Sequence, residues 1–196
     1  MARAAPRVTT LARVREALAG RAPRVVDAPE ARPAAVALIL LESSAGLELL
    51  FIERAERAGD PWSGQVALPG GRRDAGDPDL PATALRETLE ETGVDLARAE
   101  RLGTLDDLYP RTPVLPPVVV RPFVFALAQR PALTLSAEVR EAFWVPLAAL
   151  RAPGARRDTL VAVRGVELAF PAYHHGGYVV WGMTERILTP FLDMIG

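Results

Sequence analysis

The 196-residue chain contains no cysteine, which excludes disulfide bridges, thiolate metal ligands and a thiol nucleophile, and is compatible with a cytoplasmic setting. It also lacks lysine and asparagine, so all 23 of its basic residues are arginine. With Ala, Pro and Arg abundant, this reads as the imprint of a GC-rich genome rather than as chemistry. Set against 24 acidic residues, the arginines leave a formal net charge of −1, so there is no electrostatic footprint for nucleic acid. Long apolar runs are missing too. The longest, Ala34 to Leu41, falls far short of the roughly 20 residues that a membrane-spanning helix needs, so no membrane association is expected. Histidine is confined to the adjacent pair His174-His175, and neighbouring histidines seldom converge on one ion; a loop role is expected for them.

What the chain does have is 49% hydrophobic residues, enough at this length for one domain with a sizeable core. Leu11, Val14 and Leu18 recur at helical spacing near the N-terminus. Met1 to Gly20 is rich in Arg and superficially similar to a mitochondrial transit peptide, but a helix docked on the domain is the preferred reading. Residues 1–30 are therefore read as an N-terminal helix and connector, and 31–196 as the domain proper. Ala35–Glu42 and Leu47–Arg54 read as paired strands about the turn Ser43 to Gly46. Leu102–Leu108 and Val118–Ala128 read as further strands flanking a proline-rich loop, Tyr109 to Pro117, which either walls a pocket or merely connects. Val161–Ala169 reads as a hairpin turning at Gly165, and Glu185–Met194 as a final helix with Thr184 as N-cap. The fold class expected is α/β: an α/β/α sandwich on a mixed sheet.

The most informative segment is Gly70-Gly71-Arg72-Arg73-Asp74-Ala75-Gly76-Asp77, followed by Arg86-Glu87-Thr88-Leu89-Glu90-Glu91-Thr92-Gly93-Val94. Asp79 or Asp77 and Pro81 supply helix-start signals, and Gly93 supplies the stop. Glu87, Glu90 and Glu91 then stand at i, i+3 and i+4 and project from one side of the helix, with Leu85, Leu89 and Thr92 opposite them to meet a core. Crowded carboxylates repel one another unless a cation sits among them, and hard oxygen ligands suit Mg²⁺ or Mn²⁺, ions that bridge to substrate phosphates. The paired glycines permit a tight turn and close backbone approach to metal or phosphate.

Gly71 to Val94 resembles the Nudix box, G-x5-E-x7-R-E-U-x-E-E-x-G-U with U aliphatic. Asp77 replaces the first Glu, one extra residue precedes Arg86, and Thr88 stands at an aliphatic position. That spacing, with Ala82-Thr83-Ala84-Leu85-Arg86-Glu87, is similar to the coenzyme A diphosphatase branch. The resemblance implies that Glu87, Glu90 and Glu91, with the Gly70 carbonyl, ligate Mg²⁺ or Mn²⁺, and that Arg86 orients the carboxylates. Asp77 would hold other residues in place. Metal-activated water would attack one phosphorus of a nucleoside diphosphate derivative. A base outside the box is drawn from Glu138 or Glu141, with Glu138 preferred, or else Glu90 or Glu91 activates the water.

The resemblance makes coenzyme A the first substrate to consider, with ADP-ribose, NADH, dinucleoside polyphosphates or a nucleoside triphosphate as alternatives, and a non-catalytic nucleotide sensor as the contrasting class. Gly64-Gln65-Val66-Ala67-Leu68-Pro69-Gly70-Gly71 keeps the end of the branch's upstream motif, but Gly59, Asp60 and Trp62 replace its Leu-Arg-x-His portion. Trp62 either stacks on a base or is a structural tryptophan. Arg54 and Arg57 either face phosphates or are solvated, and Arg72 and Arg111 are further candidates for substrate contact. Trp181-Gly182-Met183-Thr184 is similar to the tail of the same branch. The resemblance also carries an expectation of a homodimer.

Overall fold

The apolar run at 34–41 becomes the central strand of a mixed sheet, because residues alternating along it are buried on both faces. The computed structural model describes residues 9–44, 46–60, 62–111, 116–163 and 165–196. In chain order the elements are α1 (Leu11–Leu18), β1 (Arg32–Ser43), β2 (Gly46–Arg54), β3 (Val66–Ala67), β4 (Gly70–Arg72), α2 (Leu80–Thr92), β5 (Glu100–Thr104), β6 (Val118–Leu127), β7 (Val139–Pro146), α3 (Leu147–Leu150), β8 (Arg156–Val163), β9 (Val166–His175), β10 (Tyr178–Trp181) and α4 (Gly182–Met194).

The main sheet runs β3-β2-β1-β6-β5. β1 pairs with β6 in parallel and with β2 antiparallel, while β4 pairs with the start of β1 and β7 with β2. β1 therefore has two partners along one edge: β4 against Ala34–Val36, and β2 against Leu40–Ser43. Between them the Ala37 N–H bonds the Pro69 carbonyl at 2.8 Å, so the turn that carries the glycine pair is anchored to the strand at the sheet's centre. The smaller sheet, β10-β9-β8, is an antiparallel meander.

The strand alternation divides the core in two. Ala34, Leu38 and Leu40 of β1 join Leu49, Phe51, Val120 and Val124 against α1 and α4, through Val14, Leu18, Leu188 and Phe191. Ala35, Ala37 and Ile39 join Leu50, Phe123 and Phe125 on the other face, beneath Ala84 of α2. Helices thus cover both faces of the sheet, the α/β/α arrangement expected. Each fully buried Leu or Phe contributes roughly 1.5–3 kcal/mol of transfer free energy to this arrangement.

The N-terminal helix forms as its periodicity indicates. Thr10 caps it by accepting from the Arg13 N–H, and Val14 and Leu18 are buried. The connector is pinned rather than loose: Arg21 and Arg24 pair with Asp106, and the Val26 N–H donates to Asp107, which also takes both arms of Arg121. Of the segment similar to a transit peptide, residues 1–8 lie outside the described residues.

Several expectations are corrected. Thr184 does not cap α4; Trp181 occupies the N-cap without a side-chain hydrogen bond, and Thr184 is buried within the first turn. His174 and His175 are not in a loop but close β9, paired with Val179 and Tyr178 across to β10. The strand expected at 102–108 ends at Thr104, and Leu108 returns only as an isolated bridge to Val120. Among the described residues no helix is long and apolar enough to cross a membrane.

Candidate active site

α2 begins where its signals place it. Asp79 is the N-cap, accepting from the Ala82 N–H, Pro81 lies in the first turn, and Gly93 ends the helix in the left-handed region at φ 72°. Of the 85-89-92 stripe expected to meet the core, Thr92 is buried and Leu85 is partly buried against it, but Leu89 is 50% exposed, while Thr83, Ala84, Thr88 and Glu91 face inward as well. The reason is close packing. α2 lies against β1 and β4, where small side chains fit, so Ala84 and Thr88 take the contact that Leu89 was expected to make. A glutamate consequently occupies a position where a helix ordinarily carries an apolar residue.

Glu91 bears the electrostatic consequence. Its side chain is only 5% exposed, and burial pushes the carboxyl up to about 7 despite the hydrogen bond that its Oε2 accepts from the Gly70 N–H at 2.8 Å. Glu87 and Glu138 add to the rise, and Arg54, 3.8 Å away, opposes it. Burial likewise raises Glu87, against the pull of Arg86. Glu90, one step round the helix, is 58% exposed and pairs with Arg86 at 3.0 Å.

Arg86 organises this helix face. Its Nε and one terminal nitrogen hold both oxygens of Asp77 at 2.9 Å, the same terminal nitrogen reaches the Arg72 carbonyl at 3.1 Å, and the other contacts Glu87 at 2.9 Å as well as Glu90. Asp77 accepts further from the Asp74 N–H and the Thr83 hydroxyl. The Arg86 hydrogen bonds hold the Asp77 carboxyl well below the usual carboxylate range. One arginine thus ties the loop after β4 to two glutamates of the helix.

The glycine pair has separable duties. A Cβ on Gly70 would meet the Ala35 carbonyl at 2.3 Å and the Val36 Cα at 2.6 Å, and its φ of 147° disfavours any side chain. The nearest atoms to a Cβ on Gly71 would be those of the Glu87 carboxylate, at 2.4–2.6 Å, the far end of a flexible side chain. Gly70→Ala is therefore expected to unfold the turn and lower Tm by several degrees. Gly71→Ala should instead leave Tm nearly unchanged while displacing Glu87, with a loss of about 10²-fold in kcat/KM. Thermal denaturation beside steady-state kinetics separates the two effects, and a Gly71→Ala protein with wild-type turnover would show that Glu87's position is immaterial.

A cavity of about 430 Å³ opens beside these groups. Glu87, Glu91 and Glu138 line it with Arg54, Arg57, Arg72, Asp60 and Trp62, and Met183, Thr184 and Ile187 of α4 form an apolar wall. Glu138, in the turn before β7, is held by Arg57 at 2.9 Å. Glu141 lies outside the lining, on β7 opposite Glu53. Arg72 lies over the Trp62 ring at 5.7 Å, and the Trp62 indole nitrogen is buried without a hydrogen-bond partner. Glu90 is not in the lining. Nor is Arg111, which sits over the Tyr109 ring at 5.1 Å. Of the proline-rich loop considered as a pocket wall, residues 112–115 lie outside the described residues. Asp60 and Trp62, the replacements in the upstream motif, both line the cavity, whereas the α4 wall carries no signal in local spacing.

A buried glutamate beside a second one, aimed into a cavity with arginines and an aromatic ring, on a helix entered from a Gly-Gly turn, defines a hydrolase site of the Nudix kind. The NUDIX domain matches residues 31–163, and the chain belongs to the Nudix family as a pyrophosphohydrolase. It is 34% identical over 183 residues to the mitochondrial coenzyme A diphosphatase NUDT8 of Homo sapiens, covering 91% of this chain and 75% of that one. An uncharacterized protein of Schizosaccharomyces pombe is 38% identical over 131 residues, 64% of this chain, which spans only 40% of that relative's length. Among solved structures, a MutT/nudix family protein from Enterococcus faecalis matches with a TM-score of 0.56 at 21% identity, over 86% of this chain and 64% of the other, a likeness of fold.

Proposed function

We propose that this Nudix hydrolase cleaves the diphosphate linkage of coenzyme A or a close relative of it, using Mg²⁺ or Mn²⁺. The observation that carries the reading is the similarity to the human coenzyme A diphosphatase, which covers 91% of the chain and so extends well beyond the box.

Nudix hydrolases generally need a divalent metal, and the residues present fit one. Among the described residues no group of three or more His, Cys, Asp or Glu side chains is already gathered about a single point. The donors nevertheless suit a hard dication: Glu91 is buried with a raised carboxyl that a cation would stabilise in its ionised form, and glycine at 71 lets the Glu87 carboxylate lie against the backbone of the Gly-Gly turn. We assign Glu87, Glu91 and the Gly70 carbonyl to metal binding, with Glu90 joining from the exposed side once Arg86 releases it. Bound metal lowers the pKa of its water and offsets charge on phosphoryl oxygens. Arg86 orients Glu87. Glu138, fixed by Arg57, stands ready to accept a proton from the attacking water, and Arg54, Arg72 and Trp62 bind the nucleotide portion of the substrate.

A second reading has its own support. Asp60 pairs with Arg54 at 2.8 Å and so removes positive charge from the pocket, which favours a less anionic substrate such as ADP-ribose or NADH. Incubating the purified protein with coenzyme A and Mg²⁺ decides between them. Appearance of 3′,5′-ADP and phosphopantetheine, abolished by a chelator and restored by added metal, is the expected result. Cleavage of ADP-ribose or NADH instead would establish the second reading, and no turnover across the panel would favour a nucleotide sensor.

A further inference from the structure

Asp60 belongs to no part of the box, yet it sits between two groups that matter to the pocket. One carboxylate oxygen accepts from Arg54 at 2.8 Å, and the other accepts from the backbone N–H of Trp62 at 3.0 Å. Arg54 closes the end of β2, and its guanidinium faces two carboxylates of unequal distance. One terminal nitrogen is bonded to Asp60, while the other stands 3.8 Å from Oε1 of Glu91, too far for a hydrogen bond. The three side chains are only 23%, 17% and 5% exposed for Arg54, Asp60 and Glu91 respectively, so solvent screens these charges weakly. Glu91 Oε2 accepts from the Gly70 N–H, while Oε1 faces Arg54 at 3.8 Å and has both of its lone pairs available to a cation. The neighbouring Arg57 already has Glu138 as its partner.

We propose that Asp60 is a positioning residue that holds Arg54 away from Glu91, keeping the Oε1 of Glu91 open to a divalent cation. The inference rests on the metal reading given above. Without the Asp60 charge, the Arg54 guanidinium is a part-buried cation whose nearest carboxylate oxygen is that Oε1. A small side-chain rotation closes the remaining gap, and arginine then occupies the place of the metal while its charge repels one. The same carboxylate fixes the backbone at Trp62, so cation, ring and glutamate are set relative to one another by a single side chain.

The test is direct calorimetric titration of the full chain with Mn²⁺, comparing wild type, Asp60→Asn, Arg54→Ala and the double variant Arg54→Ala/Asp60→Asn. Asp60→Asn is expected to bind Mn²⁺ about tenfold more weakly or worse. The double variant, with the competing guanidinium removed, is expected to return close to wild-type affinity. Arg54→Ala alone should bind at least as well as wild type. Circular dichroism and melting curves of all four establish that each is folded. Unchanged Mn²⁺ affinity in Asp60→Asn, or a double variant no better than that single variant, would overturn the role of Asp60 and leave the metal reading standing. A folded wild-type protein that binds no Mn²⁺ would overturn both.

Discussion

Glu91→Gln is expected to abolish hydrolysis while making the metal-free protein more stable. With Glu91 assigned to metal binding as proposed, loss of its charge should lower kcat by roughly 10³-fold or more. The stability effect has the opposite sign. Glutamine keeps an acceptor for the Gly70 N–H but carries no charge into a position that is 5% exposed. The folded carboxyl titrates at about 7, above its unfolded value of about 4.3, so the folded state favours the protonated acid. Its contribution is fully present below the unfolded value and is lost as pH rises through the folded one. The advantage of the glutamine variant should therefore open between about pH 4 and 7 and level off above it, on the order of 3–4 kcal/mol. Melting curves across that range, in the presence of chelator, measure it. Adding Mn²⁺ should narrow or reverse the gap, because only the wild type gains appreciable binding free energy. A glutamine variant that melts below wild type at pH 8 without metal would show that Glu91 stabilises the fold instead.

Asp77→Ala is expected to be the most destabilising single change at the site. Asp77 is 7% exposed and accepts from Arg86 twice, from the Asp74 N–H and from the Thr83 hydroxyl. Its removal leaves Arg86 short of its principal partner and the Thr83 hydroxyl with only a weak bond to the Asp79 carbonyl. Breaking a buried pair from one side costs about 3–5 kcal/mol, which in a chain of this size corresponds to a fall in Tm on the order of 10 °C. Activity should fall as well, since the same guanidinium sets Glu87. The folded Asp77 carboxyl lies below its unfolded value, so its stabilisation is present above about pH 4 and is lost on acidification. Wild type and Asp77→Asn should accordingly differ most near neutral pH and converge in acid. Equal melting temperatures for wild type and Asp77→Ala at pH 7 would contradict this account.

The box helix was legible in the sequence because each of its signals is local. Asp79, Pro81 and Gly93 act through hydrogen bonds and backbone angles within a few residues, and they mark its ends where the structure has them. The pairing of β1 with β2 was legible for a similar reason, since both strands flank one local turn, and the structure sets Ser43 opposite Gly46. The buried side of α2 was not, because it is decided by how closely the helix approaches β1 and β4. Periodicity alone favoured Leu89, which is half exposed, over Thr88, which is fully buried. Asp60 escaped notice as a positioning group because its partners, Arg54 and the Trp62 N–H, are brought to it by a turn of the chain. The α4 wall escaped because contacts between residues near 35 and residues near 185 leave no mark in local spacing.

That last arrangement has a consequence for how the molecule comes into being. Ala34 and Val36 are made well before Met183 to Ile187, yet all of them line one cavity. The residues of the box helix are made well before those of α4, so the wall opposite its glutamates arrives only with α4. Closing a loop of this length is a late and entropically costly event in folding. A nascent chain therefore presents these carboxylates to solvent without the enclosing cavity, which is complete only when α4 docks.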